Sequence, residues 1–239
     1  MPDGRIAVYR HPLVVRLTHW INALCLLVLL LSGLQILNAH PALYWGNVSD
    51  FGSPFIAFAS NSGPAIPHWL TLPGWQDLAG GRRWHFFFAW IFVSNGLVYV
   101  LDVVLSRRVT QVLAPTKEQL RHIGSSIREH LRLRFPHGEE ARHYNVLQKL
   151  SYLIVLFGLL PLMVATGLTM SPAVDARLHF LTEVFGGRQS ARTLHFLTAM
   201  ALVLFFLIHM VAMLAAGPLT ELRSIITGWF VIRSRRKLS

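Results

Sequence analysis

The chain has 239 residues, of which 53% are hydrophobic and only 14% charged, with a mean hydropathy of +0.47. That is too apolar for a soluble domain of this length and indicates a membrane protein. A net charge of +11 raises nucleic acid as a partner, but the placement of the cations along the chain removes it.

A helix needs about 20 largely apolar residues to cross roughly 30 Å of hydrocarbon. Four stretches qualify: Leu13–Leu37, Trp84–Leu105, Tyr144–Met170 and Ala191–Ala216. The first, with Arg10 and Arg16 ahead of "ALCLLVLLLSGLQIL", resembles a signal peptide. Its apolar run is too long for a signal core, no small-x-small cleavage site follows, and His19 and Trp20 sit awkwardly in a leader, so a retained span is expected. Its Cys25 is the only cysteine. An internal disulfide, a C-x-x-C-H haem attachment and a cysteine-ligated iron-sulfur cluster are thereby excluded.

The segment from Asn38 to Arg83 is long and rich in Pro, Gly and aromatics. A loop of this kind serves as a docking surface or lid, or as a structured cap without a partner. Between the second and third spans, "APTKEQLRHIGSSIREHLRLRF" opens with a capping box at Thr116 and Gln119, and Leu120, Ile123, Ile127 and Leu131 recur at helical spacing. A basic amphipathic helix at the inner membrane surface is expected, the alternative being a plain solvated helix. In the third span Pro161 lies between Gly158 and Gly167, and is read as a packing feature.

The cations are one-sided. They cluster before the first span (Arg5, Arg10), in the middle loop (Arg107 to Arg142) and after the fourth span (Arg223 to Lys237). The other two connections carry Arg82, Arg83, Arg177 and Arg188, balanced by Asp50, Asp77, Asp175 and Glu183. By the positive-inside rule both termini and the middle loop are cytoplasmic, so the charge reports topology in a lipid bilayer and no nucleic acid partner is expected. The expected fold is an all-α membrane protein. It is one domain over residues 1–239, a four-helix transmembrane bundle of up-down connectivity with a long outer loop and a cytoplasmic amphipathic helix.

Four histidines carry the chemistry. His195 and His209 in the fourth span are 14 residues apart, which on a helix places them about 21 Å apart and within roughly 40° of one face. No single metal uses both, but two sites, one near each surface, can. The fourth span runs outside to inside, so His195 is outer and His209 inner. His19 enters the first span from the cytoplasm and His85 opens the second from outside, which permits the pairs His19 with His209 and His85 with His195. A lone histidine near a helix end is ordinarily an interfacial residue or a satisfied hydrogen-bonder. Two depth-matched pairs inside spans, where ionisable groups are costly, instead fit two b-type haems, each with bis-imidazole iron ligation suited to electron transfer. Arg16, one turn before His19, and Arg82 and Arg83, just before His85, are candidate partners for the haem propionates, or snorkelling anchors. The other eight histidines, His11, His40, His68, His122, His130, His137, His143 and His179, fall in loops or at span edges and are expected to be structural.

With "RLTHWINALCLLVLLLSG" in the first span, "WHFFFAW" opening the second and the 14-residue histidine pair in the fourth, the chain resembles the bacterial di-haem cytochrome b subunits of nickel-iron hydrogenases, formate dehydrogenases and thiosulfate reductases. "HYNVLQKLSYLIVLFGLLPLMVATGLTMSP" resembles the cytochromes that serve molybdenum-containing reductases. The resemblance covers nearly the whole chain, although the outer loop is longer than in the shortest members. It implies a multi-pass subunit of the bacterial inner membrane that passes electrons between the quinone pool and a periplasmic redox subunit, a molybdoenzyme or a hydrogenase. By position it makes His19, His85, His195 and His209 the axial ligands, and it places quinone near His19, Asn22 and His209. Asn22 would hydrogen-bond a quinone carbonyl, or else a neighbouring helix. Two other functions compete: a self-contained quinone-linked oxidoreductase acting on a small molecule such as superoxide at the outer haem, and a proton channel or transporter using histidine relays.

Overall fold

The structure, a computed structural model, describes residues 5–58, 63–106, 115–121, 124 and 146–233. In chain order the elements are β1 (Arg5–Tyr9), α1 (Leu13–Ala39), β2 (Ala42–Leu43), β3 (Ile56–Ala57), α2 (Leu78–Leu105), α3 (Lys117–Arg121) and α4 (Val146–Thr169). The short α5 (Pro172–Asp175) and α6 (His179–Val184), α7 (Arg188–Ala216), α8 (Pro218–Thr227) and β4 (Trp229–Arg233) follow. Four of these, α1, α2, α4 and α7, are long and apolar enough to cross a membrane, so the protein is an all-α membrane protein as its sequence indicates.

Burial follows the rule for a lipid solvent. Leu24, Leu27, Leu101, Val104, Leu207 and Ile208 are exposed, while Cys25, Ser32, Thr166, Ala191 and Thr198 are buried. Lipid tails are as apolar as leucine, so helices gain nothing by hiding large side chains from them and meet instead through small residues. Four of the buried hydroxyls are paired within their own helices: Thr18, Ser32, Thr166 and Thr198 each donate to the carbonyl four residues back, at 2.7–2.8 Å.

The second span starts earlier than its hydropathy indicates. Asp77 acts as its N-cap, accepting at Oδ1 from the Gly80 N–H (2.8 Å), and its carbonyl accepts from the Gly81 N–H (2.9 Å). Arg82 and Arg83 therefore lie in the first turns of α2, not in the loop. In α4, residues Val155–Leu159 widen into a π turn immediately ahead of Pro161. The proline lacks an N–H and its ring crowds the carbonyl four residues back; the wider turn relieves both. The capping box forms as read: the Gln119 N–H donates to Thr116 Oγ1 (3.2 Å) and the Thr116 N–H to Gln119 Oε1 (3.1 Å). Of the expected amphipathic helix only α3 and Gly124 are described. Ile123, Ile127 and Leu131 lie outside the described residues, as do Arg107, Arg108, Arg128, Arg132, Arg134, Arg142, Arg235, Arg236, Lys237, His122, His130, His137 and His143.

The chain gathers into two compact units, neither a continuous piece of sequence. The first comprises residues 1–20, 98–156 and 204–239. In it β1 pairs antiparallel with β4, Tyr9 opposite Trp229. Arg10 pairs with Glu221 on α8 (3.4 Å) and its guanidinium stands over the Phe230 ring (4.9 Å). The N–H groups of Arg10 and His11 both donate to Gly228 O, at 2.9 and 3.3 Å. Gly228 sits at φ +87°, and a Cβ there would lie 2.8 Å from the His11 carbonyl oxygen, so only glycine fits. Burial, and after it the neighbouring Arg10, His19 and Arg16, push the His11 imidazole down to about 4. His11 therefore folds as the neutral form, while the unfolded chain binds a proton below about pH 6.5. The stability it contributes is complete above that pH and is lost as pH falls toward 4. The protection factors of the Ala7–Arg10 amides, with the intrinsic pH dependence of exchange divided out, are expected to fall as pH drops through that window and to stay level between pH 7 and 8. His11→Gln should flatten the profile.

The second unit comprises residues 21–97 and 157–203. Here the long loop folds down on the ends of the spanning helices. Gly46 O accepts from the Gln189 and Ser190 N–H groups, Gly46 N–H donates to Ser190 Oγ (2.8 Å), and Thr193 Oγ1 donates to Tyr44 O (2.6 Å). Arg192 donates to the carbonyls of His40 and Ala42. Asn38 makes a two-way pair with the Ile66 backbone, and Gln35 Nε2 donates to Trp75 O (2.8 Å). The described residues of the loop thus form a cap on this unit. Thr193→Val should leave the buried Tyr44 carbonyl without a partner and cost about 1–3 kcal/mol. A lowered melting temperature, with earlier proteolysis within residues 45–55, checks it.

Candidate functional site

In the second unit, His85 on α2 and His195 on α7 face one another with ring centroids 6.2 Å apart and planes at 66°. In the first unit, His19 on α1 and His209 on α7 lie with ring centroids 6.5 Å apart and planes at 53°. Each pair joins two different spanning helices. An imidazole nitrogen binds a transition metal at about 2 Å, and the ring centre lies about 1 Å beyond it. Two imidazoles on opposite sides of one metal ion therefore place their centres about 6 Å apart, close to both observed separations. Among the described residues no group of three or more His, Cys, Asp or Glu side chains could hold a metal ion. Each pair offers two imidazoles, a donor set that would suit haem iron and not a four-protein-ligand zinc centre.

The ring nitrogens of the second-unit pair are assigned by their partners. His195 Nδ1 lies 3.1 Å from Met163 O and 3.1 Å from Thr166 Oγ1. A carbonyl only accepts, so Nδ1 carries the hydrogen and Nε2 keeps its lone pair. His85 Nδ1 lies 3.0 Å from Ser32 Oγ, whose own hydrogen goes to Val28 O (2.7 Å), so Ser32 accepts and His85 takes the same tautomer. No such acceptor is seen on His19 or His209 among the described residues; Phe205 stacks on His209 (6.0 Å) and Trp20 meets His19 edge-on (5.3 Å).

The remaining expected site residues divide. Arg16 Nη2 donates to Ile226 O at the end of α8, while its Nε is buried with no partner among the described residues. Arg82 and Arg83 are exposed, and the Arg82 guanidinium lies over the Phe86 ring (5.9 Å). Asn22 Oδ1 accepts from Asn95 Nδ2 (2.7 Å), which ties α1 to α2. Arg192, one turn before His195 and spent on the cap, escaped the sequence reading, because an arginine at a span edge reads as an anchor. Two of the loop histidines have structural partners. His40 stacks on Tyr44 (5.5 Å), and His179 contacts Asp175 (3.2 Å). The Asp175 carboxyl is held below its usual range chiefly by the hydrogen bond from Thr182 (2.6 Å).

A family model described as prokaryotic cytochrome b561 matches residues 10–228. A protein of Azospira oryzae named "Putative protein-methionine-sulfoxide reductase subunit YedZ1" is 33% identical over 210 residues, covering 88% of this chain and 92% of its own length. No solved structure matches.

Proposed function

The chain belongs to the prokaryotic cytochrome b561 family, and from that premise we propose that it holds two b-type haems between paired histidines and passes electrons from quinol to a redox subunit on the outer side of the bacterial inner membrane. A b-type haem and membrane electron transfer follow from the family. The observation that carries the finer reading is the pair of ring separations, 6.2 Å for His85 with His195 and 6.5 Å for His19 with His209. With both termini cytoplasmic by the charge asymmetry, the His19 pair serves the inner site and the His85 pair the outer.

Bound haem iron supplies reversible one-electron transfer. The protein's part would be to hold each iron between two imidazoles, His19 with His209 and His85 with His195, the latter two each offering a bare Nε2, so that oxygen would find no free place on the metal. Arg16 Nε, a buried donor with no partner among the described residues, would be available to a propionate carboxylate. The exposed Arg82 and Arg83 are the corresponding donors at the outer site. The apolar spans exclude water from the ligand nitrogens, and the cap closes the outer end of the second unit. By the name of the Azospira relative, the partner proposed is a protein-methionine-sulfoxide reductase, and the likeness of the third span favours a molybdenum-containing one.

Reduced-minus-oxidised spectra of the purified protein should show b-type bands, and tagged protein from its native membrane should bring down a stoichiometric outer-side reductase. Absence of the bands ends the haem reading; bands without any such partner end the subunit reading. Quinone is assigned near Asn22. Asn22→Ala should raise KM for quinol several-fold with haem content unchanged, whereas unaltered quinol kinetics would leave Asn22 only its tie to Asn95.

A further inference from the structure

Helices α1 and α4 each carry a hydroxyl residue followed by glycine, Ser32–Gly33 and Thr166–Gly167. Each dipeptide meets one histidine of the second-unit pair. Ser32 Oγ lies 3.0 Å from His85 Nδ1, and Thr166 Oγ1 lies 3.1 Å from His195 Nδ1. A Cβ added at Gly33 would stand 3.4 Å from His85 Cε1, and one at Gly167 would stand 3.3 Å from His195 Cε1. The same two-residue device thus appears twice, on helices that bear no ligand of this site, against helices that bear both.

Neither feature is needed by its own helix. A glycine in mid-helix costs about 1 kcal/mol relative to alanine, and here it is the residue against which the imidazole edge lies. A serine or threonine in a membrane helix is satisfied by its own i−4 carbonyl, as Thr18 and Thr198 show. Ser32 and Thr166 make that bond and also accept, at the hydroxyl oxygen, from the facing Nδ1–H. Both are fully buried, at 0% exposure.

We propose that Ser32 and Thr166 are positioning residues whose hydroxyl oxygens strengthen the hydrogen bonding of the His85 and His195 Nδ1–H groups, at His195 beside the Met163 carbonyl (3.1 Å), and so set the potential of the iron these rings would hold, with Gly33 and Gly167 providing the room for each ring. The proposal rests on the assignment of this pair as haem ligands. The hydrogen bond from Nδ1–H makes Nε2 a stronger donor, which favours the ferric state. Its loss therefore raises the potential of this haem. The His19 and His209 rings have no such acceptor among the described residues, so the other haem should not respond.

The test is a potentiometric titration of the full-length purified protein with its haems, followed optically and by low-temperature EPR of the ferric state. The component belonging to this site is identified as the one missing from His195→Ala. Ser32→Ala and Thr166→Val should each shift that component alone, by roughly fivefold in the reduced-to-oxidised ratio at a fixed potential, the equivalent of one neutral hydrogen bond. Its EPR g-values should move and those of the other haem stay. Thr166→Ser should restore the wild-type values. Gly33→Val and Gly167→Val should lose this haem and keep the other. Ser32→Ala and Thr166→Val proteins that hold both haems at unchanged potentials and g-values overturn the proposal. Wild-type protein with a single haem, or His195→Ala that retains two, overturns the ligand assignment instead.

Discussion

Replacing His195 with alanine should remove one haem of the two and uncouple quinol oxidation from the partner. The other haem remains reducible by quinol, while electron delivery to the outer-side reductase falls by about two orders of magnitude or more, because a lost carrier has no substitute in the chain. His85→Ala should match it, since an imidazole left with no opposite ligand holds haem poorly. The rings stand 6.2 Å apart with their Nδ1 hydrogens turned away onto α1 and α4. Removing either leaves the other correctly oriented but alone. The measurement is quinol-dependent turnover of the outer-side partner that co-purifies with the chain, beside the haem spectrum. Turnover that survives at near wild-type rate in His195→Ala with one haem lost would show that electrons leave by a route not using this pair.

His209→Ala and His19→Ala should have the complementary effect. The haem of the first unit is lost, reduction by quinol slows by about two orders of magnitude or more, and artificial small-molecule reductants still reduce the remaining haem. The fold should survive. The β1–β4 ribbon, the Arg10–Glu221 pair and the Gly228 turn that close this unit make no use of either imidazole. Stopped-flow reduction by quinol distinguishes the two classes of variant: slow for the His19 and His209 variants, fast but incomplete for the His85 and His195 variants. Identical defects in both classes would contradict the division of labour between the units.

Much of this was legible because the membrane penalises polar atoms. Histidine inside an apolar run is expensive, so four of them at two depths stand out, and the rings that lie together are those the depth argument brings together. The capping box at Thr116 and Gln119 is a local pattern with its own hydrogen bonds, and it forms. The start of α2 was not legible. Gly80 and Gly81 read as loop, and what overrides them is Asp77 capping the first turn. The β1–β4 ribbon joins residues more than 200 positions apart, and neither five-residue strand has a pattern strong enough to announce its partner. Ser32 and Thr166 were invisible for a different reason. In sequence they are hydroxyls satisfied by their own helices, and only the facing imidazoles give them a second role. Arg16 stands between these cases: its position was readable, but its bond to Ile226 O depends on where α8 ends.

The most direct test of the whole account is the haem-to-chain ratio. Pyridine haemochrome and protein quantitation on the purified wild type should give two haems b per chain, and each of His19→Ala, His85→Ala, His195→Ala and His209→Ala should give one. A ratio of one in the wild type, or of two in any of those four variants, would contradict it.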